Sequence, residues 1–264
     1  MFITVKSIGG TGMIKERRHR MILQLLDEKN AVKVSDLVET LNVTDMTIRR
    51  DLQELEDENL LIRTHGGARK TENQTLPFLE LSHQTKREIN PDEKNEIAQL
   101  IASNIHDNET VFLGSGSTIE LVYDYLALNH AKIITNSIYV FDKFKYDERY
   151  ELILTGGAYR SKTGSFTGTI ANDFISTINV EKSFIGVNAL NEYSLYNANE
   201  DEGVIQRSIL KNSRKKYVIA DFEKFDKMDF YQFYDLRDID YLITDSKVPQ
   251  ETKDKYSKWV QIIN

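Results

Sequence analysis

A run of small residues in the middle of the chain has the composition of an anion site. Residues 112–121 read FLGSGSTIEL, an apolar strand-like run followed by Gly and Ser and then by a helical pattern. Small residues after a strand leave backbone N–H groups free to surround a phosphate, and the start of a following helix favours negative charge. Hydroxyls of Ser115, Ser117 and Thr118 add donors. The spacing matches neither GxxxxGK[ST] nor GxGxxG, and a plain tight turn between strand and helix stays open as the alternative.

Other polar residues follow strand-like runs in the same half of the chain. Asn136 comes after KIIT, Gly156 and Gly157 come after LILT, and Asn188 ends FIGVN. In open α/β sheets, ligands bind at the carboxyl ends of the strands. We therefore expect these residues to share one site with the glycine-rich loop.

Three charged residues are candidates for the same site. Lys182 and Lys224 suit a phosphate, whereas Glu202 suits hydroxyl groups; an ordinary surface position is the alternative for both lysines. A polyhydroxylated sugar phosphate would satisfy this mixture of donors and acceptors. The predicted effector-binding residues are Gly114, Ser115, Gly116, Ser117, Thr118, Asn136, Gly156, Gly157, Lys182, Asn188, Glu202 and Lys224.

A second group of residues, near the N-terminus, suits contact with DNA. A helical run begins at Asp45, and its apolar side is formed by Ile48, Leu52 and Leu55, which leaves arginines on the opposite side. Arginine is well shaped to bridge the two acceptors of guanine in the major groove or to clamp a phosphate. A solvated face balanced by the acidic run at 56–58 is the alternative. The predicted DNA-contacting residues are Ser35, Thr44, Met46, Thr47, Arg49, Arg50, Gln53, His65 and Arg69.

The elements around these arginines follow the order of a winged helix-turn-helix. Residues 14–26 carry a one-sided helical stripe, and AVKV at 31–34 is prone to form a strand. Ser35 is predicted to cap the next helix, and Thr44 to cap the helix that carries the arginines. LLIRT then indicates a strand, and the glycines of HGGAR would let a wing bend toward DNA. We predict a winged helix-turn-helix domain over residues 13–70.

The remainder of the chain has the pattern of an α/β domain. Residues 71–90 are polar, contain Pro77 and lack sustained periodicity, so they are predicted to be a linker. From residue 91 an amphipathic helix is followed by seven strand-like runs with helical stretches between several of them: TVFLG, KIITN, YELILTGG, KSFIGVNAL, KYVIAD, YLITD and WVQII. This alternation indicates a largely parallel sheet, and we predict an α/β domain over residues 91–264.

Composition and charge narrow the classes of function. The 264 residues include no cysteine, which excludes disulfides and thiolate chemistry, and the five histidines are too scattered for a metal site or a triad. No apolar run reaches the roughly 18 residues of a membrane span. Net charge is −7, but residues 13–70 hold 11 basic and 11 acidic residues, with the basic ones in clusters. A neutral domain with basic clusters, followed by an acidic domain, is typical of a DNA-binding protein with a separate regulatory domain.

The leader, residues 1–12, is predicted to be a disordered extension.

Several segments together resemble the DeoR family of bacterial transcriptional repressors. MIKERRHRMILQLL, VSDLVETLNVTDMTIRRDLQELE and THGGAR carry the resemblance, and TDMTIRRDL followed by HGGA is its most specific part. It continues through GSGSTIEL, IITNS, LTGGAYR, EKSFIGVNAL, EDEGV and ADFEKF. It therefore covers nearly everything from Met13 onward. VNALN and KFDKMDFYQFYDL look most like the family members that act on lactose phosphotransferase systems. The chain departs from the family pattern at Glu181, where Asp is more common, and in DFEK, where Asp-Ser-Ser-Lys is common.

We predict a cytoplasmic repressor that has no catalytic residues, metal or cofactor, acts as a dimer or tetramer, and is released from operator DNA by a sugar phosphate. The resemblance implies tagatose 6-phosphate as the effector and a lactose or galactose operon as the target. A repressor of another sugar operon, one that responds to fructose phosphate or a different hexose phosphate, stays open beside it.

The resemblance also implies a sensor domain similar in fold to ribose-5-phosphate isomerase, so a sugar-phosphate isomerase is a rival function. Asp201, Glu202 and Asp221 are candidate bases for that reaction, but their spacing singles out no catalytic pair. A DNA-binding protein whose second domain only oligomerises is a further rival. The small and polar residues at successive strand ends speak against it.

Overall fold

The structure is a computed structural model and describes residues 14–58, 60–70 and 80–264. The chain divides into two compact units between Leu81 and Ser82. The predicted extension at residues 1–12 and residues 71–79 of the predicted linker lie outside the described residues.

The N-terminal unit consists of three helices and a small antiparallel sheet. Its elements are α1 (Lys15–Lys29), β1 (Ala31–Lys33), α2 (Val34–Leu41), α3 (Asp45–Asp57), β2 (Ile62–Thr64) and β3 (Gly67–Arg69). The strand order β1-β3-β2, with β2 and β3 joined as a hairpin, confirms the predicted winged helix-turn-helix. Asn42, at the tight turn between α2 and α3, has a left-handed backbone conformation with φ 50°. The Thr44 hydroxyl caps α3 by accepting a hydrogen bond from the Thr47 N–H at 3.3 Å.

The prediction that Ser35 caps α2 is wrong. The strand β1 runs directly into the helix: Lys33 occupies the cap position without a side-chain hydrogen bond, and the Val34 N–H donates to the Gly66 carbonyl at 2.8 Å. Ser35 instead lies in the first turn of α2, where its hydroxyl donates to Asp36 at 2.9 Å.

The glycine at position 67 is explained by strand pairing and not by the bend of the wing. A Cβ at Gly67 would lie 1.9 Å from the carbonyl oxygen of Val32, because β3 passes close to the backbone of β1. A Cβ at Gly66, at the tip of the hairpin, would meet nothing within 4 Å. The close approach of two backbones therefore requires glycine at only one of the two positions.

The second unit is built on a seven-stranded sheet whose neighbouring strands are all parallel. The strands are β4 (Thr110–Leu113), β5 (Ala131–Thr135), β6 (Tyr150–Leu154), β9 (Val180–Gly186), β12 (Ser213–Ile219), β14 (Tyr241–Ile243) and β15 (Gln261–Ile263). Their order across the sheet is β15-β14-β12-β9-β4-β5-β6. These are the seven predicted strand-like runs, so the predicted parallel α/β sheet is confirmed.

Helices cover both faces of this sheet. They are α5 (Pro91–Ser103), α6 (Ile138–Phe144), α7 (Gly168–Ser176), α8 (Glu200–Lys211) and α9 (Gln250–Tyr256), together with 3-10 helices at Ile119–Tyr125, Phe222–Lys224 and Leu236–Asp238. Alternate residues of β4 enter two separate cores: Val111 packs with Ile97 of α5, whereas Phe112 packs with Ile205 of α8. Burial on both faces explains why the strands are continuous apolar runs.

Two features of the second unit differ from the sequence prediction. Residues 82–90, predicted to be linker, include the short helix α4 (His83–Arg87), and Leu81, His83, Thr85 and Ile89 are buried. Short antiparallel pieces also flank the parallel sheet: β7 (Ala158–Arg160) with β8 (Ser165–Thr167), and β10 (Ala189–Asn191) with β11 (Ser194–Asn197) and β13 (Tyr231–Asp235).

Among the described residues, no helix combines the length and apolar composition needed to cross a bilayer.

Candidate functional site

The exposed side of α3 presents the predicted DNA-reading arginines. Met46 is 81% exposed, and Arg49 and Arg50 are also exposed. Arg49 pairs with Asp45 (Nε to Oδ1 2.5 Å), and Arg50 with Glu54 (Nε to Oε1 3.2 Å). Exposed pairs of this kind stabilise a protein little, so both guanidinium groups can exchange these partners for DNA at little cost.

The other predicted DNA contacts occupy different parts of the unit. The hydroxyls of Thr44 and Thr47 lie 2.8 Å apart at the start of α3. Gln53 faces β2 instead: it accepts from Arg63 and donates to Asp57 at 2.8 Å. His65 and Arg69 are exposed on the hairpin of β2 and β3, and Ser35 is exposed on α2.

A buried carboxylate on the inner side of α3 is missing from the predicted set. Arg18 donates from Nε and Nη2 to Asp51 at 2.7 and 2.8 Å, and His19 Nε2 lies 3.2 Å from the same carboxylate, which is 1% exposed. Burial opposes ionisation, but the hydrogen bonds from Arg18 and His19 outweigh it and hold the pKa of Asp51 below its usual range. Asp51 therefore ties α1 to α3. Its position, three residues after Ile48, is the signal that places it on the buried stripe.

His19, Asp51 and Glu54 together have the geometry of a possible cation site. Their carboxylates, however, are already neutralised within the protein, Asp51 by Arg18 and Glu54 by Lys15 at 2.7 Å. The group is therefore an ion-pair network between α1 and α3.

The glycine-rich loop lies at the carboxyl end of β9. A Cβ on Gly114 would approach the Phe184 carbonyl oxygen to 3.1 Å, and the Ser115 carbonyl oxygen lies 3.8 Å from the Cβ position of Gly186. Ser117 is buried within the loop. The helix that follows is a 3-10 helix, which has poorer hydrogen-bond geometry than an α-helix.

Lys86 and Lys94, which are absent from the predicted set, lie at the same edge as Lys224. Lys94 is 5% exposed, and its ammonium group donates to the carbonyl of Lys86 and to that of Ile89 at 2.5 Å. Burial and then the ammonium groups of Lys224 and Lys86 lower the pKa of Lys94 to about 8, while Asp221 and Glu120 act in the opposite direction.

Lys86 also donates to Asn188 at 3.0 Å, next to the end of β9. Three lysines therefore lie near one another at the carboxyl edge of the sheet.

Lys224 is positioned by a short turn after β12. Asp221 accepts from the Glu223 N–H at 3.0 Å, and its other oxygen lies 3.7 Å from the Lys224 ammonium. Asp245, at the end of β14, accepts from the Phe222 N–H at 2.8 Å, and burial raises its pKa. The two buried carboxylates therefore hold the turn that carries Lys224.

A second polar group lies at the ends of β5 and β6. Glu202, 5% exposed, accepts from Ser165 at 2.6 Å, from Arg160 at 3.4 Å and from Thr163. Asn136, directly after β5, donates to the Phe166 carbonyl at 3.3 Å.

The paired glycines after β6 differ in their surroundings. Gly157, with φ 112°, has its Cβ position 2.5 Å from the Thr167 carbonyl oxygen, so this glycine is required by packing. Gly156, with φ 66°, borders open space.

Lys182 must be removed from the predicted effector set. It is the third residue of β9, at the amino end of the sheet, where its ammonium group donates to Glu109 and to the Asn104 carbonyl, both at 2.7 Å. In register it faces Val111 near the start of β4. The other effector candidates lie at or beyond the carboxyl ends of the strands, so Lys182 belongs to a structural ion pair.

A winged helix-turn-helix joined to an α/β domain with a lysine-rich carboxyl edge defines a DNA-binding regulator with a separate sensor. Residues 18–74 match the DeoR-like helix-turn-helix domain, and residues 89–246 match the DeoR C terminal sensor domain. The chain belongs to the DeoR family and is a regulator, not an enzyme.

Two relatives of similar length share a name. The lactose phosphotransferase system repressor of Streptococcus mutans is 36% identical over 254 residues, which cover 96% of this chain and 100% of that protein. The protein of the same name from Staphylococcus aureus is 34% identical over the same shares.

Solved structures similar to the chain include ribose 5-phosphate isomerase A from Neisseria gonorrhoeae. It has a TM-score of 0.36 and 16% identity, and the match covers 50% of this chain and 52% of that one. The eIF2B beta protein of Chaetomium thermophilum has a TM-score of 0.45 and 11% identity, with 94% and 73% covered. Both TM-scores are below 0.5, so neither structure defines the fold of this chain. The α/β fold class follows from the parallel sheet itself.

Proposed function

We propose that the chain represses a lactose or galactose catabolic operon and that tagatose 6-phosphate releases it from operator DNA. The grouping of Lys86, Lys94 and Lys224 at the carboxyl edge of the sheet, the edge that also holds the glycine-rich loop, carries this proposal. The names of relatives that are 34–36% identical over nearly the whole chain support the lactose pathway.

The proposed effector site divides the sugar phosphate between two groups of residues. The phosphate lies at the loop Gly114–Thr118, where backbone N–H groups and hydroxyls donate and the three lysines supply charge. The sugar hydroxyls face Asn136, Gly156 and the buried carboxylate of Glu202. A ketohexose phosphate matches this division because its charge is at one end and its donors and acceptors are along the rest.

The proposed DNA contact places the start of α3 in the major groove. Met46, Arg49 and Arg50 reach the base edges there, while Thr44 and Thr47 hold backbone phosphates. Two copies of the chain, in a dimer or a tetramer, occupy successive half-sites of the operator. This activity requires access to the chromosome, so the proposed location is the cytoplasm.

Release requires the effector to prefer the form of the protein that does not fit the operator. The preference equals the coupling free energy, typically about 1–3 kcal/mol. By linkage, operator DNA weakens effector binding by the same factor.

An operator-release assay tests the proposal. Promoter DNA from a lactose operon is bound to the full chain and titrated with tagatose 6-phosphate, fructose 6-phosphate, galactose 6-phosphate, unphosphorylated tagatose and inorganic phosphate. We expect tagatose 6-phosphate to release DNA at the lowest concentration and tagatose to have no effect. Stronger release by fructose 6-phosphate would assign the chain to another hexose phosphate operon. Failure of every sugar phosphate to release DNA would overturn the sensor proposal.

A further inference from the structure

The short helix α4 is the first element of the second unit along the chain, and it crosses the proposed effector site. His83 contacts three different segments of the carboxyl edge. Its Nε2 lies 2.8 Å from Glu120 in the 3-10 helix after the glycine-rich loop, and its ring stacks on Tyr139 of α6 at 3.8 Å. Its backbone N–H donates to the Lys162 carbonyl at 2.7 Å, in the turn between β7 and β8.

The C-terminal half of α4 contains Lys86, one of the three lysines at the carboxyl edge, and contacts Lys94, another of them. Arg87 pairs with Glu120 at 2.9 Å, so two side chains of α4 hold one buried carboxylate. Lys86 reaches the loop after β9 through Asn188. The Lys94 ammonium takes the carbonyls of Lys86 and Ile89 as acceptors and so caps the last turn of α4 from α5.

We propose that α4 transmits effector occupancy from the carboxyl edge to the chain segment that leads to the DNA-binding unit. The inference rests on the proposed function, since it concerns the regulation of the same site. It assigns His83 and Arg87 of α4 a role in coupling that is separate from the contact of Lys86 with the phosphate.

The physical reason is competition for the same ammonium groups. A phosphate that accepts hydrogen bonds from Lys86 and Lys94 draws them from Asn188 and from the carbonyls at the end of α4. A five-residue helix has almost no stability of its own, so its position depends on these contacts. Effector binding is therefore expected to move or loosen α4, whereas contacts elsewhere in the sheet stay unchanged.

The double variant His83→Leu, Arg87→Ala tests this role, because it removes both polar contacts to Glu120 and leaves the three lysines in place. The readouts are the affinity for tagatose 6-phosphate and the ratio of operator affinities without and with it. In the wild type a ratio of about 5–150 is typical of allosteric coupling. We expect the variant to bind the effector and the operator within about threefold of wild type, but to lower the ratio below about two.

Lys143→Ala is the matched control. Lys143 pairs at 2.9 Å with Asp124, which lies in the same 3-10 helix as Glu120. It is expected to keep the wild-type ratio. An unchanged ratio in the double variant would overturn the inference.

Hydrogen exchange in the wild type gives a second test that does not depend on folding of the variant. The amides of Lys86 and Glu88 donate within residues 82–88, to the carbonyls of Ser82 at 2.9 Å and Thr85 at 3.2 Å. Saturating tagatose 6-phosphate is expected to change exchange in the peptide 82–90. Bound effector with no change in that peptide would contradict the role of α4. A wild type that neither binds nor responds to tagatose 6-phosphate would instead overturn the proposed function, and this inference with it.

Discussion

The ammonium group of Lys86 donates a hydrogen bond to Oδ1 of Asn188 at 3.0 Å, although the residues lie 102 positions apart. Asn188 donates in turn from Nδ2 to Asp229 at 3.0 Å. One amide side chain thus joins α4, the loop after β9 and the segment before β13. A ligand at the carboxyl edge would meet a network already connected to the first element of the sensor unit. Substitutions in this network should separate effector binding from folding.

Lys94→Met should weaken binding of tagatose 6-phosphate by roughly 10–100-fold, because a charge-assisted hydrogen bond contributes about 1.5–3 kcal/mol. Isothermal titration calorimetry measures the loss. Lys182→Met is the matched control, since Lys182 is also 5% exposed but lies at the opposite end of the sheet with Glu109. That variant should lose stability and keep its effector affinity. Equal effector affinities for the two variants would remove Lys94 from the site.

Effector affinity should fall as pH rises through about 8. Burial and then the ammonium group of Lys224 lower the pKa of Lys94 to about 8, and a bound phosphate would raise it again. Below this pH Lys94 is already protonated and the affinity is at its maximum. Above it, binding must take up a proton, which costs up to about tenfold in affinity per pH unit. Calorimetry at about pH 7, 8 and 9 should show this decline in the wild type. It should vanish in Lys94→Met, and a flat wild-type profile would contradict the assignment.

Ser117→Ala tests the loop without disturbing its backbone. Loss of one hydroxyl donor should weaken the binding of tagatose 6-phosphate by about 2–10-fold, because a single hydrogen bond contributes about 0.5–1.5 kcal/mol. Operator binding should persist, so a higher effector concentration is needed for release. A variant that loses operator binding because it unfolds would show that Ser117, buried in the loop, has a structural role. Thermal melting of the free protein distinguishes the two results.

Arg49→Ala should weaken operator binding by about 5–150-fold, the cost of one bidentate base contact at about 1–3 kcal/mol. The rise in melting temperature caused by tagatose 6-phosphate should be unaffected. Lys29→Ala is the control, because Lys29 is an exposed cation in the last turn of α1. Fluorescence anisotropy with labelled operator measures both. If the two variants lost equal affinity, the contribution of Arg49 would be general charge and not base contact.

Asp51→Ala should destabilise the N-terminal unit by about 1.5–3 kcal/mol, because it removes the charge-assisted hydrogen bonds from Arg18 that join α1 to α3. The folded-state pKa of Asp51 is lowered, so its contribution is complete above its unfolded value of about 3.9 and is lost as the pH falls through the folded value. Urea unfolding followed by circular dichroism measures the change. Asp36→Ala, an exposed acidic residue in α2, should have little effect. A stable Asp51→Ala variant would contradict the role of this ion pair.

The parallel sheet can be predicted from sequence because its central strands are buried on both faces and therefore form apolar runs. α4 cannot be predicted in this way. It is five residues long, and its buried side chains are His83 and Thr85, so it has no apolar stripe. The position of Lys182 also requires the structure, since an apolar run marks a strand without showing which of its residues lie at the carboxyl end.

The role of Lys94 is different, because the sequence does contain its signal. Lys94 lies three and four residues before Ile97 and Ala98, on the buried face of α5. A lysine on such a face must find acceptors or an anion. The identity of those acceptors, the carbonyls of Lys86 and Ile89, depends on how α4 folds back onto α5. Only the three-dimensional structure supplies that contact.

Titration of the operator complex with tagatose 6-phosphate, wild type beside Lys94→Met, tests the central claim most directly. Fluorescence anisotropy of labelled promoter DNA reports the bound fraction. We predict complete release of the wild type by tagatose 6-phosphate, no release by unphosphorylated tagatose, and a roughly 10–100-fold higher effector requirement for Lys94→Met. Release of both proteins at the same concentration, or equal release by phosphorylated and unphosphorylated sugar, would contradict a phosphate sensor at the lysine-rich edge.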